Sequence, residues 1–149
     1  MAGRSTEAVI DSSVAVKWFS NEEDTDKALL VRNQHVKGSQ MLWVCDLLYH
    51  EVANALRYKP SYDEKRLTQA VGSLFGLHLN IHPVNSTLLE KAAAIAFKGN
   101  VTIYDAAPVA LAQLRETFCL TADEDTQYKK LKTHGYPLKL LAEEPRIDK

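Results

Sequence analysis

Two apolar rhythms alternate along this chain. Short, largely apolar runs stand at residues 8–10 (AVI), 41–44 (MLWV), 118–121 (FCLT) and 137–141 (PLKLL), with a poorer one, LNIHPV, at 79–84. Runs of this length, bounded by polar or turn residues, read as buried strands. Pro83 ends the poorer strand or places it at a sheet edge, because proline cannot donate to a ladder. Between the runs, apolar residues recur every three to four positions, the period of an amphipathic helix. Leu48, Val52, Ala55 and Leu56 form one such stripe, Leu67, Ala70, Val71, Leu74 and Phe75 a second, and Leu88, Ala92, Ile95 and Ala96 a third. Strands alternating with helices predict right-handed βαβ units around a mostly parallel sheet, an α/β fold.

Helix ends follow from capping chemistry. Asp24 or Thr25 is placed to cap a helix that stops at about Gly38. Asp46 is placed to cap one running to about Tyr58, with Pro60 beyond it. Asp63 opens the next, with Arg66 in place of the usual capping-box acid or amide, and Asn85 opens one that Gly99 ends. The alanine-rich segment AAPVALAQLRE has two readings. With Asp105 as N-cap, Pro108 falls in the first turn, where no intrahelical bond is lost; a start near Thr102 puts Pro108 further in and kinks the helix. The first reading costs less and is the expected one. A last helix covers roughly residues 124–133, and the tail AEEPRIDK is expected to be loosely attached.

Composition narrows the class. The 149 residues, 46% apolar and 25% charged, suit one soluble domain with its core at about 8–141. No apolar run is long enough to span a membrane. MAGRSTEAVID lacks the apolar stretch of a secretory signal, which points to the cytoplasm. The net charge of −1 is not that of a general nucleic-acid binder, which carries a basic face. Cys45 and Cys119 read as buried free thiols, bridged only if their strands are neighbours. The five histidines have no ligand spacing and read as surface or core-edge residues.

The candidate chemistry lies in four acids. Asp11 and Asp123 follow strand-like runs, and in open parallel sheets the functional crevice lies beyond the carboxyl ends of the strands. Glu51 and Asp105 sit near the starts of helical segments. Each has a plainer reading: a polar turn for Asp11, a solvated helix position for Glu51, a cap for Asp105 and Asp123. Carboxylates gathered from four distant segments repel one another unless a cation neutralises them, and a hard divalent ion with oxygen ligands suits such a set. Metal-assisted phosphoryl chemistry is therefore the first expectation. A receiver domain would need a second acid beside the first strand, where only Glu7 stands. A haloacid-dehalogenase-type phosphatase would need an Asp at position 13, which is Ser13.

The stretches VIDSSVAVKWF, YHEVANAL, IYDAAPVALA and LTADED, in that order and spacing, resemble a PIN domain, and within that superfamily the VapC-type toxins of prokaryotic toxin–antitoxin pairs. The resemblance spans about residues 8–141. It implies an α/β/α sandwich with a mostly parallel central sheet and a Mg2+- or Mn2+-dependent ribonuclease. Carried over, Asp11, Glu51, Asp105 and Asp123 are the acidic quartet, and Ser13 and Thr121 are supporting hydroxyls. Asp11 and Asp105 would hold a metal directly, Asp123 would complete the shell or hold a second ion, and Glu51 would ligate that ion or orient the attacking water. The resemblance also implies an RNA substrate, a small cognate antitoxin and a homodimer. For the dimer surface, Leu30, Tyr49 and the surface beside Trp43 are the apolar candidates. Lys17 and Arg57 are candidates for phosphate contact, and Asp125 for the metal shell, each with a solvated surface role as the alternative. A non-catalytic PIN-like module and a stand-alone RNA-processing nuclease are the rival functions. The chain departs from the family pattern at Pro108, where an aromatic or aliphatic residue is usual, and at Asp46, where proline is common.

Overall fold

A computed structural model describes residues 6–146. Five strands, β1 (Thr6–Ile10), β2 (Gln40–Cys45), β3 (Asn80–His82), β4 (Cys119–Thr121) and β5 (Leu138–Leu140), form one sheet in the order β3-β2-β1-β4-β5. Every pairing is parallel. β3 is an edge strand, as Pro83 immediately after it requires. Among the described residues there are seven α-helices: α1 (Ser12–Val16), α2 (Thr25–Val36), α3 (Leu48–Arg57), α4 (Glu64–Gly76), α5 (Ser86–Gly99), α6 (Ile103–Leu114) and α7 (Lys129–Lys132). A single π-helical turn, Glu124–Tyr128, leads into α7. No helix among the described residues is long and apolar enough to cross a membrane.

Side-chain alternation along β1 divides the core in two, because successive residues of a strand face opposite sides of the sheet. Ala8 and Ile10 pack with Val14, Leu48, Val52, Leu56 and Leu74, under α1, α3 and α4. Val9 packs with Leu88, Ile95, Val109 and Leu111, under α5 and α6. Burial of each such Leu, Ile or Val contributes about 1.5–3 kcal/mol, so the two clusters hold the layers together. Trp18 pins α1 to α2 by donating from Nε1 to the Ala28 carbonyl at 2.8 Å.

The expected caps are partly realised. Asp63 accepts from the Arg66 amide at 2.8 Å and Asn85 from the Leu88 amide at 2.8 Å. Asp24 makes no side-chain cap bond; it sits at φ 63° before α2. Asp46 does not cap α3, which starts at Leu48; its carboxylate accepts from the Val84 amide at 3.2 Å and ties the β2–α3 turn to the end of β3. The stop after α5 is Asn100 in the left-handed region, φ 53°, and not Gly99. Gly99 has a different reason to be small: a Cβ there would lie 2.3 Å from Leu131 Cδ2, so α5 and α7 touch through it. Asp105 is not the N-cap of α6. Thr102 is, accepting from the Asp105 amide at 3.1 Å, which leaves Pro108 in the second turn. Thr-x-x-Asp is itself a capping-box pattern, and it outweighs the cost of the displaced proline.

Cys45 on β2 and Cys119 on β4 are free and flank β1, so their strands are not neighbours. The tail is better attached than its composition suggests. Lys27 Nζ donates to the Ala142 carbonyl at 2.5 Å, and Arg146 pairs with Asp26 at 3.0 Å. Residues 1–5 and 147–149, which hold the first part of the N-terminal stretch considered for a signal and the end of the tail, lie outside the described residues.

The Gly99–Leu131 contact sets a prediction. Helix propensity favours Ala over Gly by about 0.8–1.0 kcal/mol, whereas overpacking a well-filled core costs about 1–3 kcal/mol. Leu131 is fully buried and has little room to move, so overpacking wins. Gly99→Ala should lower the unfolding free energy in urea by roughly 1 kcal/mol. A more stable variant would show that Leu131 yields freely.

Candidate active site

The strand order reverses at β1, and β1 and β4 run side by side to the same edge. Asp11 leaves the end of β1 as the N-cap of α1, and Asp123 follows β4 as the N-cap of the π turn. Both carboxylates therefore stand at helix starts beyond the carboxyl ends of adjacent strands, in the crevice a doubly wound sheet opens at its switch point. Glu51, in the first turn of α3, and Asp105, in the first turn of α6, close on this crevice from the two faces of the sheet.

Hydroxyls tie the strand ends together. Ser13 donates to Asp11 Oδ2 from its amide at 3.1 Å and from Oγ at 2.6 Å, and Ser13 Oγ accepts from the Ala122 amide at 2.9 Å. Thr121 Oγ1 accepts from the Asp123 amide at 3.0 Å and lies 3.3 Å from Ser13 Oγ. The Ser13 proton goes to Asp11, and the single Thr121 hydroxyl proton has two acceptors in reach, Ser13 Oγ at 3.3 Å and Asp11 Oδ2 at 3.5 Å. Asp123 in turn accepts from the Thr126 amide at 3.0 Å and from the Thr126 hydroxyl.

Electrostatics link all four acids. Burial raises the Asp11 carboxyl above its ordinary range; the Ser13 hydrogen bonds oppose this and the charge of Asp123 adds to it. Glu51 is pushed up to about 7, first by burial, then by the charge of Asp11 and, less, of Asp105; a hydrogen bond with Ser12 opposes the shift. Asp105 is raised by burial and by Asp11 and Asp123, with Thr102 and the Lys130 ammonium acting the other way. Asp11 is thus coupled to each of the other three. The donors are carboxylate and hydroxyl oxygens, the set a hard divalent cation takes. Burial, and then the charges of Asp46, Glu51 and Asp11, push the Cys45 thiol up to about 12. Among the described residues no three His, Cys, Asp or Glu side chains form a ready metal cage.

A PIN domain family model matches residues 8–132. The chain is 32% identical over 126 residues to Ribonuclease VapC3 of Pyrobaculum aerophilum, covering 81% of this chain and 92% of that protein. The chain belongs to the PIN domain family. Solved structures with a similar fold include VapC20 of Mycobacterium tuberculosis, described as a sarcin-ricin loop cleaving toxin, at TM-score 0.65 and 12% identity over 87% of this chain and 95% of that one. VapBC2 of Rickettsia felis, bound to a DNA fragment from their promoter, aligns at TM-score 0.64 and 9% identity over 91% of this chain and 98% of that one. At these identities the likeness concerns the fold.

Within this PIN domain the other sequence candidates lie apart from the acids. Lys17 Nζ donates to the Glu23 carbonyl at 2.8 Å and pairs with Glu22, and the Arg57 guanidinium lies 5.2 Å from the Tyr58 ring centre. Neither lines the acid crevice, which is walled by Ser12, Leu47, Leu48, Tyr104 and Pro108 around Asp11 and Glu51. Asp125 is exposed and pairs with Lys129 at 3.4 Å. Glu7 is held by Arg115 at 2.8–3.1 Å near the start of β1, so no second acid stands beside Asp11 in the receiver-domain manner. Three contributors escaped the sequence reading: Ser12, Lys130 and Gln127. Ser12 was legible as part of the Asp-Ser-Ser turn; the other two depend on how residues 124–132 fold back on α6.

Raised carboxyls make stability pH-dependent. An acid with a higher pKa folded than unfolded binds more protons in the folded state, so stability falls as pH rises between the two values. For Glu51 that window runs from its unfolded value of 4.5 to about 7. Without divalent ions, the urea-unfolding free energy should fall across this window, and Glu51→Gln should flatten the fall. An identical pH profile for the variant would show that Glu51 carries no such strain.

Proposed function

We propose that this PIN domain is a Mg2+- or Mn2+-dependent endoribonuclease acting as the toxin of a toxin–antitoxin pair. The observation that carries the reading is the electrostatic coupling of Asp11 to Glu51, Asp105 and Asp123, four carboxylates from four elements, with Lys130 as the cation acting on Asp105. Identity to a named ribonuclease over most of the chain supports the same chemistry.

Asp11, Asp105 and Asp123 would hold the ion. When bound, a divalent ion supplies a lowered pKa for the attacking water and charge neutralisation for the scissile phosphate. Ser13 and Thr121 fix Asp11 and the Asp123 backbone, so the carboxylates need not reorganise as charge develops. Glu51, whose carboxyl lies nearest neutrality, holds or orients the attacking water. Direct attack by water leaves a 5′-phosphate and a 3′-hydroxyl, with no part for the 2′-hydroxyl as nucleophile. RNA selectivity then rests on contacts to unpaired bases and the sugar.

The reading includes a small antitoxin and a second copy of the chain as partners. Leu30 and Tyr49 are only partly exposed, and Tyr49 stacks on Phe75 with ring centres 4.3 Å apart, so the dimer surface expected around them is less open than the sequence suggests. A wider apolar groove of about 530 Å³, lined by Leu47, Val84, Leu88, Leu89, Ile103 and Tyr104, adjoins the acids and supports protein contact there. Solved neighbours captured as toxin–antitoxin complexes support the antitoxin.

Cleavage of a labelled structured RNA should require Mg2+ or Mn2+, stop with EDTA, and fall by at least about 100-fold in Asp11→Asn and Asp105→Asn. End analysis should find 5′-phosphates. Products ending in a 2′,3′-cyclic phosphate would overturn the water-attack mechanism, and cleavage surviving both substitutions would remove the acids from it.

A further inference from the structure

Pro108 and Gln127 are far apart in sequence and meet at the turn that carries Asp105. In α6, a residue at position 108 would donate its amide to the Tyr104 carbonyl one turn back; proline has no such donor. The turn bearing Asp105 is thus held by one bond fewer than its neighbours. Gln127 brings a donor from outside the helix to the next carbonyl along, not to the one Pro108 leaves unserved: its Nε2 lies 2.8 Å from the Asp105 carbonyl oxygen. Gln127 is fully buried, and its Oε1 has no hydrogen-bond partner. Burying an amide with half its capacity unmet is unfavourable, and an apolar side chain of like volume would fill the space without that cost. Packing alone therefore does not account for a glutamine here.

Gln127 also stands inside the π turn whose N-cap is Asp123, and the bond that makes this turn π-helical, Tyr128 amide to Asp123 carbonyl at 3.0 Å, brackets it. One side chain thus joins the backbone of Asp105 to the turn that orients Asp123. We propose that Gln127 is a positioning residue for the nuclease site, fixing the Asp105 carboxylate relative to Asp123 where Pro108 has weakened the helix. The inference rests on the metal-dependent nuclease reading. It concerns Pro108, which stands where the resemblance has an aromatic or aliphatic residue, and the buried glutamine that reaches the same turn.

The test is a cycle of Gln127→Met, which keeps volume and loses the donor, and Pro108→Ala, which returns a backbone donor to α6. Thermal unfolding checks that each variant folds. Mn2+ calorimetry and single-turnover RNA cleavage are the two readouts. Gln127→Met should bind Mn2+ more weakly and cleave about 10- to 100-fold more slowly, with RNA affinity unchanged, the range expected when reacting groups shift by a fraction of an ångström to an ångström. Adding Pro108→Ala should recover most of the loss in both readouts. A Gln127→Met protein equal to wild type, or one equally impaired with and without Pro108, overturns the positioning role while leaving the nuclease reading intact. A wild-type protein that neither binds Mn2+ nor cleaves overturns both.

Discussion

A carboxylate that is almost wholly buried ends the central strand of this sheet, and three more acids press on it. Asp11 has lost most of its water, accepts two hydrogen bonds from Ser13, and feels the charge of Asp123, while its own charge raises Glu51 and Asp105. Such a cluster is unfavourable in itself. The surrounding structure explains how the fold tolerates it. Parallel pairing of β1 with β4 brings Asp11 and Asp123 to one edge, helix starts aim backbone amides at both, and the Ser13–Thr121 bridge fixes the spacing. Proteins keep unfavourable arrangements of this kind where chemistry uses them.

The rest of the molecule holds this edge rigid. At the opposite end of β1, Arg115 pairs with Glu7 through both carboxylate oxygens and lies 3.8 Å from the ring centre of Trp43, joining α6 to β1 and β2. On the near side, Gly99 lets α5 approach Leu131, which seats the segment that carries Gln127 and Lys130 under the first turn of α6. The site is therefore set by two anchors on α6, one at each end, and by a short segment after β4 whose own regular structure is only a π turn and one turn of α-helix.

Much of this was legible in the chain. Five apolar runs became five strands, and Asp63 and Asn85 cap as their sequence context requires, because strand burial and capping are local patterns. Asp46 misled because a carboxylate at a strand end has other donors in reach, here the Val84 amide across the sheet. Asp105 misled because the cost of an interior proline was weighed without the Thr102 capping box, and without the tertiary donor that Gln127 provides. The tail misled because its polar composition conceals the Ala142 carbonyl, which accepts from Lys27, and Arg146, which finds Asp26. Four acids at strand and helix starts could be picked out singly. Their mutual coupling could not, since it depends on the strand order 3-2-1-4-5, which no local pattern encodes.

The central claim is that these carboxylates share one divalent ion. Anomalous diffraction at the manganese edge, from crystals grown with Mn2+, tests it without reference to activity. The account predicts a peak in the crevice between Asp11, Asp105 and Asp123, lost in crystals of Asp11→Asn. A fully formed crevice with no anomalous density, or a peak bound elsewhere on the surface, would contradict it.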